Sequence, residues 1–341
     1  MNEQELFSRG ISNAVQTCMN VTGDDRVLVT TDQITKKIGQ ALAREARKQE
    51  AEVDLVYLED YGTRPLTEAP SQMVKDVVNF QPTVTFFAAS GQQGEVKMRM
   101  GSTLKIKQAL EEREIPLPRR AHMIGITEKL IREGMNADYR EVHNLTMKVT
   151  DLLEKAEIIR VTSQKGSDLE AVINPDYSWV PCHGLYHQQG EGGNLPEGEV
   201  FTCPGSLNGV IVADVLGDYF STTYGVLKHP VTFKVEDGKV EQISCSNQNL
   251  VEELWEYLQS AENGLRVGEF AIGTNTAVQT LSGNLLQDEK IPGVHIAFGN
   301  PIGHETGAEW TSDVHIDVIP TDCTIQVDEK LLLEGRTFHL D

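Results

Sequence analysis

The chain has 341 residues, more than one typical hydrophobic core needs, so we expect two domains. Its formal net charge of −21 argues against nucleic acid as a partner, because affinity for a phosphate backbone rests largely on Lys and Arg. No segment approaches the roughly eighteen apolar residues of a membrane span, and the N-terminus is polar and acidic, unlike a signal peptide. The five cysteines are scattered and form no Cys-x-x-Cys pair, which favours free thiols. We therefore expect a cytoplasmic protein that binds neither nucleic acid nor membrane.

In the first half of the chain, helical periodicity alternates with short apolar segments of strand type. The predicted helices cover 1–22, 35–49, 70–79, 103–112 and 139–155, and the predicted strands 26–32, 53–58, 83–90 and 121–126. This order is typical of a parallel sheet with helices on both faces. We therefore predict a doubly wound α/β domain over residues 1–155. No G-x-G-x-x-G motif follows its first strand, so we expect a scaffold without a nucleotide site.

From residue 156 to 341, short alternating segments separated by turns replace the regular strand–helix order. The predicted strands cover 158–163, 169–173, 209–214, 231–235 and 239–243, and one helix covers 250–259. The Glu236-Asp237-Gly238 step between the last two strands is typical of a hairpin. We therefore predict an antiparallel β-rich (α+β) domain over residues 156–341, and most candidate ligands lie in it.

Two strand-type segments near the C-terminus contain two histidines and an aspartate. The first segment holds His295, and the second holds His315 and Asp317. Side chains two residues apart on a strand point to the same face, so His315 and Asp317 can chelate one divalent cation. The alternative interpretation is that these two residues only hydrogen-bond each other on a solvent-facing strand.

Two glutamates upstream offer further oxygen ligands. Glu199 leaves a glycine-rich segment that can approach other groups closely, although this segment could equally be an acidic surface loop. Glu269 begins an apolar strand, where a buried carboxylate is costly unless it is paired or bound to metal; the alternative is a surface acid at a strand end. Together with the three residues downstream, they form the oxygen and nitrogen set expected for two divalent metals that share a bridging carboxylate.

These segments resemble the M29 family of metallo-aminopeptidases (the aminopeptidase T type) in order and spacing. The matching motifs are Asn194-Leu195-Pro196-x-Gly198-Glu199-Val200-Phe201, Gly268-Glu269, His295-Ile296-Ala297-Phe298-Gly299 and His315-Ile316-Asp317. The resemblance implies a two-domain homodimer whose two-metal site releases N-terminal amino acids from short peptides. It also implies that Glu199 and His295 ligate the first metal and that Glu269 bridges. His315 and Asp317 then hold the second metal.

The chain departs from the M29 pattern between the two histidine motifs. The tyrosine that the family has near the metals corresponds to Ile302 here, and no tyrosine follows His295. The connecting segment is shorter than in the family and contains three further ionisable residues, His304, Glu305 and Glu309. We expect two zinc, cobalt or manganese ions, bridged by Glu269, to activate the water that attacks a peptide or small amide bond. Glu305 or Glu309 is the expected proton carrier to the leaving amine.

Two other functions stay open. The superfamily resemblance extends to 2,5-dihydroxypyridine dioxygenases, which open an aromatic ring with one Fe(II) and keep a His-x-Asp. Those enzymes have a histidine about where Glu269 stands, so the glutamate favours the two-metal hydrolase. His183 and His187 are spare histidines for either site. The second alternative is a non-catalytic homologue that binds a metal or ligand without turnover.

Overall fold

The computed structural model describes residues 1–340, which form two compact units. The first unit comprises Met1–Arg140 and Gly184–Glu197; the second comprises Glu141–His183 and the chain from Gly198 onward. The units differ from the predicted domains, 1–155 and 156–341, because most of the helix after Tyr139 lies in the second unit and a glycine-rich return segment lies in the first. No helix within residues 1–340 has the length and apolar character to cross a bilayer.

The described residues contain ten α-helices and nineteen β-strands. The helices are α1 (Glu3–Ser12), α2 (Lys36–Lys48), α3 (Ser71–Phe80), α4 (Val96–Glu111), α5 (Glu128–Arg132), α6 (Tyr139–Leu153), α7 (Asp218–Tyr224), α8 (Gln248–Gln259), α9 (Leu285–Asp288) and α10 (Gly303–Thr306). The strands are β1 (Arg26–Thr31), β2 (Glu52–Tyr57), β3 (Val84–Ala88), β4 (Arg119–His122), β5 (Ile158–Ser163), β6 (Asp168–Val172), β7 (Val180–Cys182), β8 (Gly192–Asn194), β9 (Glu199–Thr202), β10 (Ser206–Ala213), β11 (Val215–Leu216), β12 (Val231–Glu236), β13 (Lys239–Ser244), β14 (Val267–Gly273), β15 (Gly293–Gly299), β16 (His315–Ile319), β17 (Cys323–Val327), β18 (Lys330–Glu334) and β19 (Thr337–Phe338).

The first unit contains a parallel sheet with the strand order β2-β1-β3-β4-β8. Its central strands are apolar and buried, as expected when helices cover both faces, and the prediction of a doubly wound N-terminal fold is confirmed. The fifth strand, β8, comes from the glycine-rich segment that the sequence suggested was a loop. A Cβ on Gly192 would lie 2.6 Å from the carbonyl oxygen of Arg120, so only glycine fits this pairing.

The N-terminal helix differs from the single helix predicted over residues 1–22. The α-helix ends at Ser12, and Asn13–Cys18 forms a π-helical turn. The side-chain amide of Asn13 donates hydrogen bonds to the carbonyls of Met135 and Ala137, and these long-range contacts are invisible to a periodicity argument.

The strand order of the first unit reverses between β1 and β3, where open α/β sheets commonly bind ligands. Here the guanidinium of Arg64 contacts Asp32 and Ser90, which follow these two strands. Its Nη1 lies 2.6 Å from Asp32 Oδ2, its Nε lies 2.6 Å from Glu95 Oε1, and Ser90 also donates to Asp32. All three charged side chains are buried. Arg64, Asp32 and Glu95 thus form a buried ion-pair network beyond the ends of β1 and β3. The interpretation of this unit as a scaffold stays a prediction.

The second unit consists of two antiparallel sheets. The eight-stranded sheet has the order β13-β12-β10-β6-β5-β17-β18-β19, and the six-stranded sheet has the order β11-β16-β15-β14-β9-β7. One hydrophobic core joins apolar side chains from both sheets and from α6 and α8. The predicted antiparallel β-rich fold is confirmed for this part of the chain, and the six-stranded sheet carries the candidate ligands.

Candidate metal centre

The five predicted metal ligands lie on four neighbouring strands, β9, β14, β15 and β16. Residues that are directly opposite each other in a sheet share a face. Each candidate ligand is directly opposite a small residue of the neighbouring strand, and these small residues alternate along β14 and β15 on the same face. The opposite pairs are Glu199 with Gly273, His295 with Ala271, Glu269 with Ala297, Asp317 with Ala297, and His315 with Gly299. All five side chains therefore lie on one face, which we call the ligand face. The small residues Ala271 and Ala297 lie between them on this face.

The opposite face of these strands belongs to the hydrophobic core. It carries Val200, Phe270, Ile272, Val294, Ile296, Phe298, Ile316 and Val318. Burial of this face fixes the register of the strands, because a slip of one residue would turn the charged ligands into the core. The core therefore holds the ligand face in place.

A β-bulge in β14 directs Glu269 to the ligand face. Val267 pairs with Phe298, whereas Glu269 pairs with Ala297, so Gly268 is an extra residue in this strand. Val267 lies in the core, and regular alternation would send Glu269 to the same face. The bulge reverses this direction, and its glycine is required because a Cβ there would lie 2.2 Å from the carbonyl oxygen of Gly299.

The two histidines converge on the same carboxylates. His295 Nε2 lies 3.3 Å from Glu269 Oε1 and 3.5 Å from Glu199 Oε2. His315 Nε2 lies 3.5 Å from Glu269 Oε2 and 3.7 Å from Asp317 Oδ1. Asp317 Oδ1 also lies 4.0 Å from His295 Nε2. Glu269 thus offers a separate oxygen to each histidine, and Asp317 offers one oxygen to both.

The orientation of His315 is fixed by atoms outside the ligand set. Its Nδ1 lies 2.9 Å from the carbonyl oxygen of Asn300; since a carbonyl only accepts, Nδ1 carries the proton and Nε2 faces the carboxylates. The hydroxyl of Tyr257 on α8 accepts from the backbone N–H of His315 and donates to Asp218. The side chain of His315 is 31% exposed, so the site is open to solvent on its side.

The electrostatics of the cluster favour a bound cation. Burial lowers the pKa of His295, but the hydrogen bond to Glu269 and the charges of Glu199, Glu269 and Asp317 raise it to about 9. For His315, burial again lowers the pKa and Asp317 raises it, to about 10. Burial raises the pKa of Asp317, but the charge of His315 outweighs it and holds that pKa below the ordinary value. Sites that hold protons this strongly also attract metal ions, which compete for the same nitrogen and oxygen atoms.

Two further observations show that these residues are suited to bind a divalent metal. Glu199 Oε2 is buried and accepts no hydrogen bond from residues 1–340, an arrangement that is costly unless a cation is bound. Ligand atoms of Glu269, His315 and Asp317 all lie within 4.8 Å of one another. With oxygen and nitrogen donors only, such a group suits zinc, cobalt, manganese or iron.

Two charged residues beside the cluster, one half-buried and one buried, escaped the sequence analysis. Glu289 and Lys290 follow α9, and Lys290 is completely buried. Its Nζ lies 2.5 Å from Glu199 Oε1 and 2.8 Å from Glu289 Oε1. Burial raises the pKa of Glu289 to about 7, against the opposing charge of Lys290. The only signal in the sequence is an Asp-Glu-Lys run just before β15, a pattern that usually indicates a solvated loop.

The predicted proton carriers lie apart from the ligands. Glu305 and Glu309 are exposed, and within residues 1–340 no hydrogen bond or ion pair joins either to the five ligand candidates. Glu305 instead lies 3.4 Å from exposed His304. Ile302 precedes α10 as its N-cap with φ +52°, an unusual value for a β-branched residue. The role of these glutamates stays a prediction.

The two spare histidines contact other groups. His187 Nε2 lies 2.8 Å from the carbonyl oxygen of Thr17. The ring of His183 packs edge-on against His143, with 4.5 Å between the ring centroids.

The sequence also matches a known family over the segment that forms this site. The family model described as thermophilic metalloprotease (M29) covers residues 111–318, more than half of the chain and all five ligand candidates. The chain belongs to the M29 family. The predicted resemblance is confirmed, and the family assignment implies a metallopeptidase-type function with a divalent metal. No curated protein matches the chain.

Two solved structures share the fold over nearly the whole length of this M29 chain. Wild-type AmpT from Thermus thermophilus superposes with a TM-score of 0.71 and 15% identity, covering 99% of this chain and 100% of that one. A 2,5-dihydroxypyridine dioxygenase from Pseudomonas putida KT2440 superposes with a TM-score of 0.69 and 15% identity, covering 99% of this chain and 98% of the other. At these identities the likeness shows the fold alone.

Proposed function

We propose that this chain is an aminopeptidase-type hydrolase that uses two divalent metal ions to cleave the N-terminal bond of short peptides or small amides. The observation that carries the proposal is that two carboxylates each approach both histidines. Glu269 places Oε1 3.3 Å from His295 Nε2 and Oε2 3.5 Å from His315 Nε2. Asp317 Oδ1 lies 4.0 Å from His295 Nε2 and 3.7 Å from His315 Nε2. Membership of the M29 family supports the same reaction class. By analogy with the family, we also propose that the protein acts as a homodimer.

In this mechanism, two metal ions would polarise the scissile carbonyl and make water a competent nucleophile near neutral pH. Glu199 and His295 would hold the first ion and His315 and Asp317 the second, with Glu269 shared. Lys290 offsets part of the negative charge and fixes the orientation of Glu199. Substrate would approach from the exposed side of His315. A carboxylate would carry the proton to the leaving amine.

A ring-cleaving dioxygenase with one Fe(II) is the second candidate. His295, His315 and Asp317 could supply the two histidines and one carboxylate of an iron oxygenase site. The dioxygenase among the structural neighbours keeps this alternative open. The hydrolase is favoured because Glu199 and Glu269 add two buried carboxylates that a mononuclear triad does not need, and their charge is better compensated by a second cation.

The deciding experiment measures metal content per chain on protein purified without chelator, once in air and once under anaerobic conditions. Near two zinc, cobalt or manganese ions per chain would support the hydrolase, and amino-acid amides and short peptides would then be screened for release of the N-terminal residue. About one iron per chain, with oxygen uptake on dihydroxypyridine substrates, would replace the hydrolase by the dioxygenase. A protein that takes up no metal under either condition would contradict both enzymatic proposals.

Replacement of the shared carboxylate tests the site directly. We expect Glu269→Gln to lose one ion per chain and at least about 100-fold in turnover, because the amide keeps one oxygen ligand, replaces the other by an NH2 group that cannot ligate, and removes the shared negative charge. Glu262→Gln on the exposed surface is the matched control and should behave like the unaltered protein. Unchanged metal content and turnover in Glu269→Gln would show that the assignment is wrong.

A further inference from the structure

Arg266 immediately precedes β14 and stacks on the indole of Trp310, with Cζ 4.0 Å from the ring centroid. The arginine side chain is half-buried, yet among residues 1–340 no carboxylate forms an ion pair with it, although the chain has 51 acidic residues. Within the same residues its N–H groups donate no side-chain hydrogen bond. We propose that Arg266 binds a carboxylate of the substrate. This inference deepens the proposed function and rests on it.

Arg266 lies in the same row of the sheet as His315, on the exposed side of the metal centre. Its carbonyl oxygen accepts a 2.8 Å hydrogen bond from Gly299 N, and Gly299 is directly opposite His315. Adjacent strands are about 4.8 Å apart, so the backbones of Arg266 and His315 are about 10 Å apart. Val267 points into the core, and alternation turns the preceding side chain toward the ligand face. The guanidinium therefore belongs to the open edge of that face.

The charge of Arg266 acts on the ligand face at Cys203. This cysteine continues the alternation of Glu199 at the end of β9, so its thiol lies on the same face. Burial raises the pKa of Cys203 to about 12; the positive charge of Arg266 opposes the rise and the negative charge of Glu269 adds to it. One thiol thus has both the guanidinium and the shared carboxylate as neighbours.

Local hydrogen bonds hold the arginine and the indole together. The backbone N–H of Arg266 donates to the carbonyl of Asn263 at 3.0 Å, and the side-chain amide of Asn263 donates to the carbonyl of Thr311, also at 3.0 Å. Trp310 lies in the segment between the two histidine motifs, where the chain departs from the M29 pattern. Stacking covers one flat side of the guanidinium and leaves its fork of N–H donors open to a planar carboxylate.

The position of the arginine limits the class of substrate. The acidic cluster repels an anionic substrate, and the charge of Arg266 offsets this repulsion at the edge of the site. An extended peptide advances about 3.3–3.6 Å per residue, so the separation from His315 corresponds to about three residues at most. The carboxylate can come from the C-terminus of such a peptide or from an acidic side chain of its first residue. The preferred substrates are therefore short peptides with a carboxylate within this reach.

The test compares kcat/KM for three probes. Leucyl-glycine has a C-terminal carboxylate, glutamyl-glycinamide has one on its first side chain, and leucyl-glycinamide has none. We expect the unaltered protein to prefer one of the first two over leucyl-glycinamide by at least about 10-fold, because a carboxylate and a guanidinium form charge-assisted hydrogen bonds. Arg266→Gln should lose this preference, mainly through a higher KM, since the contact is made in both the bound substrate and the transition state.

Two further variants complete the set. Arg266→Lys should keep only part of the preference, because an ammonium cannot form the two parallel hydrogen bonds. The exposed Arg44→Gln is the matched control and should behave like the unaltered protein. The preference is a ratio between probes within one protein, so partial unfolding of a variant does not imitate its loss. Bound Co²⁺ should be the same in Arg266→Gln and the unaltered protein.

The outcomes separate this inference from the proposed function. If the unaltered protein cleaves the three probes with equal kcat/KM, or if Arg266→Gln keeps the preference, the inference is wrong while the hydrolase stands. If Arg266→Gln loses bound Co²⁺, the arginine supports the metal centre and is not a substrate anchor. If the metal-loaded unaltered protein cleaves none of the probes, the proposed function fails together with the inference.

Discussion

At the scale of single residues, the candidate site depends on charged side chains that are buried and paired with each other rather than solvated. Lys290 is completely buried and contacts two glutamates, although lysine in a loop is usually solvated. Its only sequence signal is its place in a charged run. Glu269 and His295 are also buried, and each acquires its chemistry from the carboxylates or imidazoles facing it.

Loss of Lys290 should destabilise the metal-free protein. In Lys290→Met, Glu199 and Glu289 lose their shared cation while they stay buried, and breaking such a pair costs about 3–5 kcal/mol. Urea denaturation in the presence of chelator measures the loss, with exposed Lys330→Met as the control. Equal midpoints for the two variants would show that the buried ammonium contributes nothing to stability.

At the scale of elements, one face of the six-stranded antiparallel sheet packs in the hydrophobic core and the other face carries the candidate metal ligands. Phe270, Ile296 and Ile316 point into the core, whereas the five candidate ligands point to the other face. His-x-Asp spacing made one shared face predictable for His315 and Asp317. The direction of Glu269 was not predictable from alternation, because it depends on the bulge at Gly268.

Filling the space between the ligands should abolish metal binding while the fold persists. Ala297 lies between Glu269 and Asp317 on the ligand face, so the extra methyl groups of Ala297→Val occupy the space where ions would bind. We expect a stability loss of about 1–3 kcal/mol from overpacking, together with loss of bound Co²⁺.

The neighbouring residue provides the matched control for this variant. Ile296→Val changes the core face of the same strand and should cost about 0.5–1.5 kcal/mol with metal binding intact. Normal metal binding in Ala297→Val would mean that the ions do not lie above this part of the sheet.

At the scale of the whole molecule, a chain with a net charge of −21 keeps several carboxylates buried. In the first unit, the charge of Asp32 is compensated by Arg64; in the second, histidines and Lys290 surround the acidic cluster. Stability should therefore respond both to pH and to divalent cations.

The network of Asp32 predicts the direction of the pH effect. Burial raises the pKa of Asp32, but hydrogen bonds from Ser90, Arg64 and Thr35 outweigh it and hold that pKa well below the ordinary value. A depressed folded-state pKa stabilises the protein above the unfolded-state pKa of about 4, and the contribution disappears as pH falls below it. We expect Asp32→Asn to flatten the loss of stability between about pH 4 and pH 2, measured by urea denaturation. An unchanged slope would contradict this assignment.

Metal removal should lower the thermal stability of the whole chain. An ion that binds only the folded state adds about 2.7 kcal/mol when present at 100 times its dissociation constant. We expect chelator to lower the melting temperature and Zn²⁺ or Co²⁺ to restore it. Glu269→Gln should show a smaller response, and an equal response in both proteins would exclude Glu269 from the ion-binding group.

The sequence by itself determined the two fold types and the five candidate ligands. Strand periodicity and the strand–helix order follow from local hydrophobic patterning, and the His-x-Asp spacing fixes a common face because strand side chains alternate. Tertiary structure alone decided the reversal of Glu269 at the Gly268 bulge, the return of Gly192 to the parallel sheet, and the burial of Lys290 against Glu199. These features depend on which backbones pass within contact distance, and close approach between residues distant in sequence leaves no periodic signal.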